Sequence, residues 1–177
     1  MSKLLVLCEG PNEKKIVELL LRDNRLLFNT EDLIGLVPYH ARQLDSPVVQ
    51  SALNMYSGPF DIYRIGDTQT DKLRIPGHLK SRIGSISKIC TKPELEILLI
   101  INENLIHVWQ RSGKRPKDFA KKEIQFQRRR YDNSSQFYEE HYGRRIDLLI
   151  ENLKEYKRTK RHDRDELFLA DFIREMK

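Results

Sequence analysis

Cysteine is nearly absent from this chain: there are two in 177 residues, Cys8 and Cys90, each among apolar neighbours. A disulfide framework is thereby excluded, and both thiols are expected as small buried side chains. No apolar run reaches the roughly 18 residues of a membrane-spanning helix, and the amino terminus carries no signal-peptide pattern. A cytoplasmic protein without a membrane partner is therefore expected. The five histidines, at positions 40, 78, 107, 141 and 162, show no zinc-ligand spacing. Glu9-Gly10-Pro11-Asn12 lacks the glycines and the lysine of a P-loop, which argues against nucleotide hydrolysis of that kind. Internal repeats and low-complexity segments are also missing.

What is present fits a soluble globular protein: 39% apolar and 33% charged residues. The net charge of +6 is unevenly placed. Residues 111–177 hold 19 Lys and Arg against 13 Asp and Glu, and residues 1–110 are balanced at 13 of each. The excess points to a nucleic-acid-facing segment joined to a neutral core; a solvated helical surface is the plainer reading. Ser112-Gly113-Lys114-Arg115-Pro116 is the best linker and coincides with the charge shift. The expected division is an α/β domain over 1–111 and a basic helical extension over 112–177.

The chain is organised around Lys3 to Leu21. Leu4 to Cys8 is an unbroken apolar run, which suits a strand buried on both faces, as in a parallel sheet between helices. Beyond the break at Glu9-Gly10-Pro11-Asn12, Ile16, Leu19 and Leu20 recur at helical spacing, with Val17 and Leu21 widening the apolar face. Asn12 is the expected N-cap, and Glu13 falls in the first turn. Glu9 then sits at the carboxyl end of a strand, where open α/β sheets place their ligands.

Further strands are expected from Leu26 to Phe28, within Leu33 to Ala41, from Phe60 to Ile65 and from Ser85 to Cys90. A helix opens at Asp45-Ser46-Pro47 and ends at Ser57-Gly58, and Gly77 to Gly84 is a loop. The strongest helical signal runs from Thr91 to Trp109. Thr91 and Glu94 have capping-box spacing, and the residues behind them are apolar nearly all round. The remainder, from Lys117 on, reads as helical and polar.

Three places could carry chemistry: Glu9 with Glu13 four residues on, Asp67 with Asp71 four residues on, and Glu96 among leucines and isoleucines. Carboxylates at neighbouring strand ends can share a hard divalent cation, which prefers oxygen ligands. Each has a plainer explanation. Glu13 favours a helix amino terminus, Gly-Asp-Thr is ordinary turn chemistry, and Glu94 is most simply a cap partner. Glu96 is harder to set aside, because a carboxylate in such company needs a partner or a metal.

LLVLCEGPNEKKIVELLL resembles the first motif of Toprim domains, an apolar strand ending in Glu-Gly before a helix. IYRIGDTQTDK resembles their second, a strand ending in Asp-x-Asp. TKPELEILL is similar to the Pro-x-x-Glu helix start of Toprim-like proteins in bacterial defence systems, near the OLD-type and RloB-type nucleases. The resemblance covers roughly residues 3–110. It implies a small parallel sheet flanked by helices (Toprim-like, Rossmann-like) and Mg²⁺- or Mn²⁺-dependent cleavage of phosphodiester bonds in DNA or RNA. A role as an anti-phage effector, alone or with a partner protein of a defence complex, belongs to the same implication.

On that resemblance Glu9 matches the motif glutamate, Asp67 the first motif aspartate and Glu96 the helix carboxylate, with Glu13 and Asp71 assisting. Lys72 and Arg74 follow the second motif and are candidates for phosphate contact. Arg128, Arg129 and Arg130, with Tyr131, are expected to give backbone affinity that falls with salt. Two departures stand out: Asn12 replaces the usual Thr, and Gln69 holds the second position of Asp-x-Asp. Gln69 favours the alternative of an inactive Toprim-like subunit or sensor that binds nucleic acid or protein. A purely structural helical partner is the third possibility.

Overall fold

The structure, a computed structural model, describes residues 2–67, 71–161 and 163–175. β1 (Lys3–Cys8) lies between β2 (Tyr39–His40) and β3 (Phe60–Gly66), and β4 (Ile83–Cys90) follows β3. All pairings are parallel, in the order β2-β1-β3-β4. The register of the central pair runs from Lys3 opposite Phe60 to Cys8 opposite Ile65.

Parallel neighbours need crossovers. α1 (Pro11–Arg22) joins β1 to β2, and α2 (Pro47–Met55) joins β2 to β3. Alternation along β1 divides its side chains between two layers. Leu4, Val6 and Cys8 share a core with Ile16, Val17 and Leu20 of α1, whereas Leu5 and Leu7 share one with Val49 and Leu53 of α2. This is an α/β protein with a small parallel sheet flanked by helices. The chain leaves β1 toward one edge and returns to the other side, so β1 and β3 form the topological switch point, where such sheets bind ligands.

The second strand is shorter than expected. Gly35 and Leu36 both have positive φ (72° and 63°), a left-handed kink that breaks the extended chain over Ile34–Leu36 and leaves Tyr39–His40 for the sheet. Leu26 to Phe28 forms no strand and contributes one bridge, Leu26 to Ile173. Gly10, with Pro11 at the first helical position, caps α1 in place of Asn12, which is buried and turned toward Asn133.

The long helix over 91–109 is two: α3 (Ile97–Asn102) and α4 (Ile106–Ser112), parted where Asn104 takes φ 56°. Thr91 does not cap it: α3 begins six residues later with Glu96 at its N-cap, and the Thr91 N–H still extends the sheet to the Gly66 carbonyl at 3.0 Å. Glu94 is engaged elsewhere, accepting from the Lys117 N–H at 2.8 Å.

α5 (Pro116–Glu123) leads to a hairpin, β5 (Gln125–Phe126) and β6 (Arg129–Arg130). Its two turn residues, Gln127 and Arg128, both have positive φ. α6 (Ser135–Tyr142) and α7 (Ile146–Thr159) follow. Phe119, Tyr138, Leu149 and Phe168 join the same apolar cluster as Leu4 and Val6, so the segment after the expected linker packs into the core on the α1 face of the sheet. Leu167 bridges Ile89 and covers part of the β4 edge. Cys8 and Cys90 are buried free thiols, as their neighbours suggested. Among the described residues no helix is long and apolar enough to cross a membrane.

Candidate functional site

β1 and β3 run in the same direction, and Cys8, the last residue of β1, lies opposite Ile65, one residue before the end of β3. Glu9 and Asp67, the residues just past their ends, therefore leave the sheet at the same carboxyl end of its two central strands. A cleft of about 190 Å³ lies there. Its acids are Glu9, Glu13, Asp67, Glu94 and Glu96, and its bases are Arg42 and Lys117.

Two glycines make the crowding possible. The Glu9 side chain lies across Gly66, where an added Cβ would come within 2.6 Å of the Glu9 Cβ. The Glu13 carboxylate folds back over Gly10, where an added Cβ would meet Oε2 at 2.5 Å. The Glu9 N–H continues the ladder by donating to the Ile65 carbonyl at 2.8 Å, and Oε1 pairs with Arg42 at 3.1 Å.

Burial pushes Glu13 up from 4.5 to about 7; its own backbone hydrogen bond opposes this, and the charges of Glu96, Asp67 and Glu9 add to it. Burial also raises Glu96, against the hydrogen bond from Tyr131. The Tyr131 hydroxyl donates to Glu96 Oε1 at 2.6 Å. The Asn133 amide, turned so that both its ends are satisfied, donates to the same oxygen at 3.2 Å and accepts from Lys117 Nζ at 3.0 Å.

Of the residues expected from sequence, Glu9, Glu13, Asp67 and Glu96 share this cleft. Asp71 lies in a neighbouring hollow, where its carboxylate meets Arg64 at 3.4 Å and its carbonyl accepts from Arg64 at 2.8 Å. Gln69 falls outside the described residues. Lys72 is exposed, and Arg74 pairs with Asp45 on the surface. The arginine triplet is not one stripe: Arg128 occupies the hairpin turn, Arg130 is exposed, and Arg129 pairs with Asp132 and Glu140 at 2.7 Å each. Tyr131, expected beside them facing a ligand, is 2% exposed and belongs to the cleft's wall.

Arg42, Lys117, Asn133 and the site contact of Tyr131 escaped sequence reasoning. Each reaches the cleft through a contact distant in sequence, so no local spacing marks it. The donor set is all hard oxygen, which suits Mg²⁺ or Mn²⁺. Among the described residues, however, no group of three or more His, Cys, Asp and Glu side chains is arranged to hold a metal ion. Family models, curated proteins and solved structures give no match to this chain.

Proposed function

We propose that this protein is a Toprim-like nuclease that uses Mg²⁺ or Mn²⁺ to cleave phosphodiester bonds in DNA or RNA, in the manner of anti-phage effectors. One observation carries the reading: carboxylates from three separate stretches of chain crowd one cleft at the switch point. There Glu13 is pushed up to about 7 by burial and by Glu96, Asp67 and Glu9. Such crowding is costly unless a ligand uses it.

Glu9 and Asp67 would hold the cation, with Glu96 and Glu13 assisting. A cation held there would supply Lewis-acid chemistry, polarising a water and offsetting charge on the leaving oxygen. Arg42 and Lys117 on the rim orient a phosphate, and the exposed Arg128 and Arg130 add affinity that falls with salt.

The test is cleavage of plasmid and of structured RNA with Mg²⁺ or Mn²⁺. Glu9→Gln and Asp67→Asn are each expected to reduce it at least ~100-fold, the scale on which catalytic groups act. Undiminished cleavage by both variants overturns the site.

A second reading is an inactive subunit or sensor that binds nucleic acid or protein. It is favoured by Asp71 being engaged with Arg64 and by Gln69 standing in the motif. Salt-sensitive nucleic-acid binding without cleavage would select it.

A further inference from the structure

We propose that α5 and the β5–β6 hairpin form an arm that grips the phosphate backbone of a nucleic-acid duplex beside the cleft. The inference rests on nucleic acid being the substrate, as proposed above, and on no bound cation. It starts from where the charge lies. Residues 114–131 hold eight Lys and Arg against two Asp and Glu, an excess of six, and the other 159 residues hold 24 of each. The whole net charge of the protein therefore sits in 18 consecutive residues, which fold as one helix and one hairpin.

The hairpin grows out of the cleft's wall. At its root the Tyr131 N–H donates to the Ile124 carbonyl at 3.0 Å, and beyond it Gln125 stands opposite Arg130 and Phe126 opposite Arg129. Alternation puts Phe126 and Arg129 on one face, Gln125 and Arg130 on the other. The first face is bound to the fold. Phe126 meets the His141 ring at 4.9 Å and the Arg145 guanidinium at 4.5 Å, and Arg129 pairs with Asp132 and Glu140. Gln125 and Arg130 are exposed, as is Arg128 in the turn. A surface fixed from behind meets its ligand at little ordering cost.

α5 connects this surface to the cleft. Its Phe119 and Ala120 are buried, and Lys117 and Lys121, four residues apart, share a flank. Lys117 lines the cleft, and Lys121, about 6 Å further along the axis, is exposed. The two acids of the arm are already engaged, Asp118 with Arg115 and Glu123 with Lys122. Among the described residues, none of Lys121, Arg128 and Arg130 has an acidic partner. Every exposed residue of the arm is charged or a glutamine. No exposed ring is therefore offered for stacking single-stranded bases, and no apolar side chain for entering a lipid surface. Contact with phosphates alone suits a duplex, which presents one charge per about 1.7 Å of its axis.

The experiment is fluorescence anisotropy of a labelled DNA duplex, the RNA duplex of the same sequence and their single strands, with the full chain in EDTA so that cleavage is not read. Polyglutamate serves as an acidic competitor. One variant combines Lys121→Ala, Arg128→Gly and Arg130→Ala; glycine suits the φ of 68° at position 128. A control combines Lys80→Ala, Arg144→Ala and Lys154→Ala, three exposed bases outside the arm, for the same change in net charge. The arm variant is expected to bind duplex at least ~10-fold more weakly, with a salt slope smaller by about three, and the control to bind like the unsubstituted chain. Loss on either duplex bears the inference out, and the tighter of the two tells DNA from RNA.

An unchanged arm variant, equal losses in the two triple variants, tighter binding of single strands than of duplex, or displacement by polyglutamate at equal charge overturns the inference alone. If the unsubstituted chain binds no nucleic acid at all, the nuclease reading falls with it. If the arm variant does not fold, Lys121→Ala alone, on the exposed flank of a helix, carries the same comparison at a loss of about threefold.

Discussion

Two hollows meet at Glu9 and treat charge in opposite ways. In the smaller, Asp71 and Arg64 satisfy each other through carboxylate and carbonyl, and Gln43 closes the arrangement with a contact to Asp71 at 3.5 Å. In the larger, the described lining holds Glu13, Glu94, Glu96 and Asp67 together with Lys117, and Arg42 is shared between the two. A fold that pairs acids with guanidinium groups on one side of a residue, and collects acids on the other, has not merely run out of bases. The paired side balances its charge within the fold, and the crowded side is the one on which the proposed cation site rests.

The sharpest way to break this contrast is Gly66→Ala. The new methyl collides with the Cβ of Glu9 and not merely with its flexible end, so backbone or strand has to move. Overpacking of this kind costs about 3 kcal/mol. Thermal melting should show the loss, and an unshifted melting temperature would mean that Glu9 does not lie across β3.

Next in size is the pH response of the crowded side. Folding raises Glu13 from 4.5 to about 7, so the folded state holds the proton more tightly than the unfolded chain does. Its contribution is complete below pH 4.5 and is lost as pH rises through about 7, on the order of 2 kcal/mol after allowing for its partial exposure. Glu13→Gln should flatten the pH 5–8 dependence of the urea midpoint and be the more stable protein at pH 8. Parallel pH profiles for the two proteins would remove the crowding argument.

The smallest effect belongs to the paired side. Arg64→Ala leaves Asp71 without its guanidinium, at an expected cost of about 1–2 kcal/mol. Urea unfolding at pH 5 and pH 8 should show the same loss at both. A loss confined to one pH would mean that the two hollows titrate together.

Legibility differed by element for physical reasons. Leu4 to Cys8 announced itself because a strand buried on both faces is apolar throughout, whereas Phe60 to Ile65, with Asp61 and Arg64 inside it, was marked by its apolar residues and the closing Gly66-Asp67. The segment 91–109 misled, because an apolar run shows burial without showing where a helix stops. Only Asn104 in the left-handed region, and the sheet bond from Thr91 to Gly66, set its limits. Tyr131 was grouped with the arginines beside it; that it points inward depends on Phe137, Tyr138 and Glu96.

The amino-acid sequence by itself determined the strand–turn–helix unit with Glu9 and Glu13 one turn apart, because turns and helical faces are set by neighbours a few residues away. It also determined that Glu96 would be buried among apolar side chains. Tertiary structure alone decided that β3 lies beside β1, that Asp67 therefore joins Glu9, and that Asp71 goes to Arg64 instead. It also brought Tyr131 to Glu96. Strand order and side-chain meetings across tens of residues follow from how whole layers bury their apolar faces, which no short stretch of chain encodes.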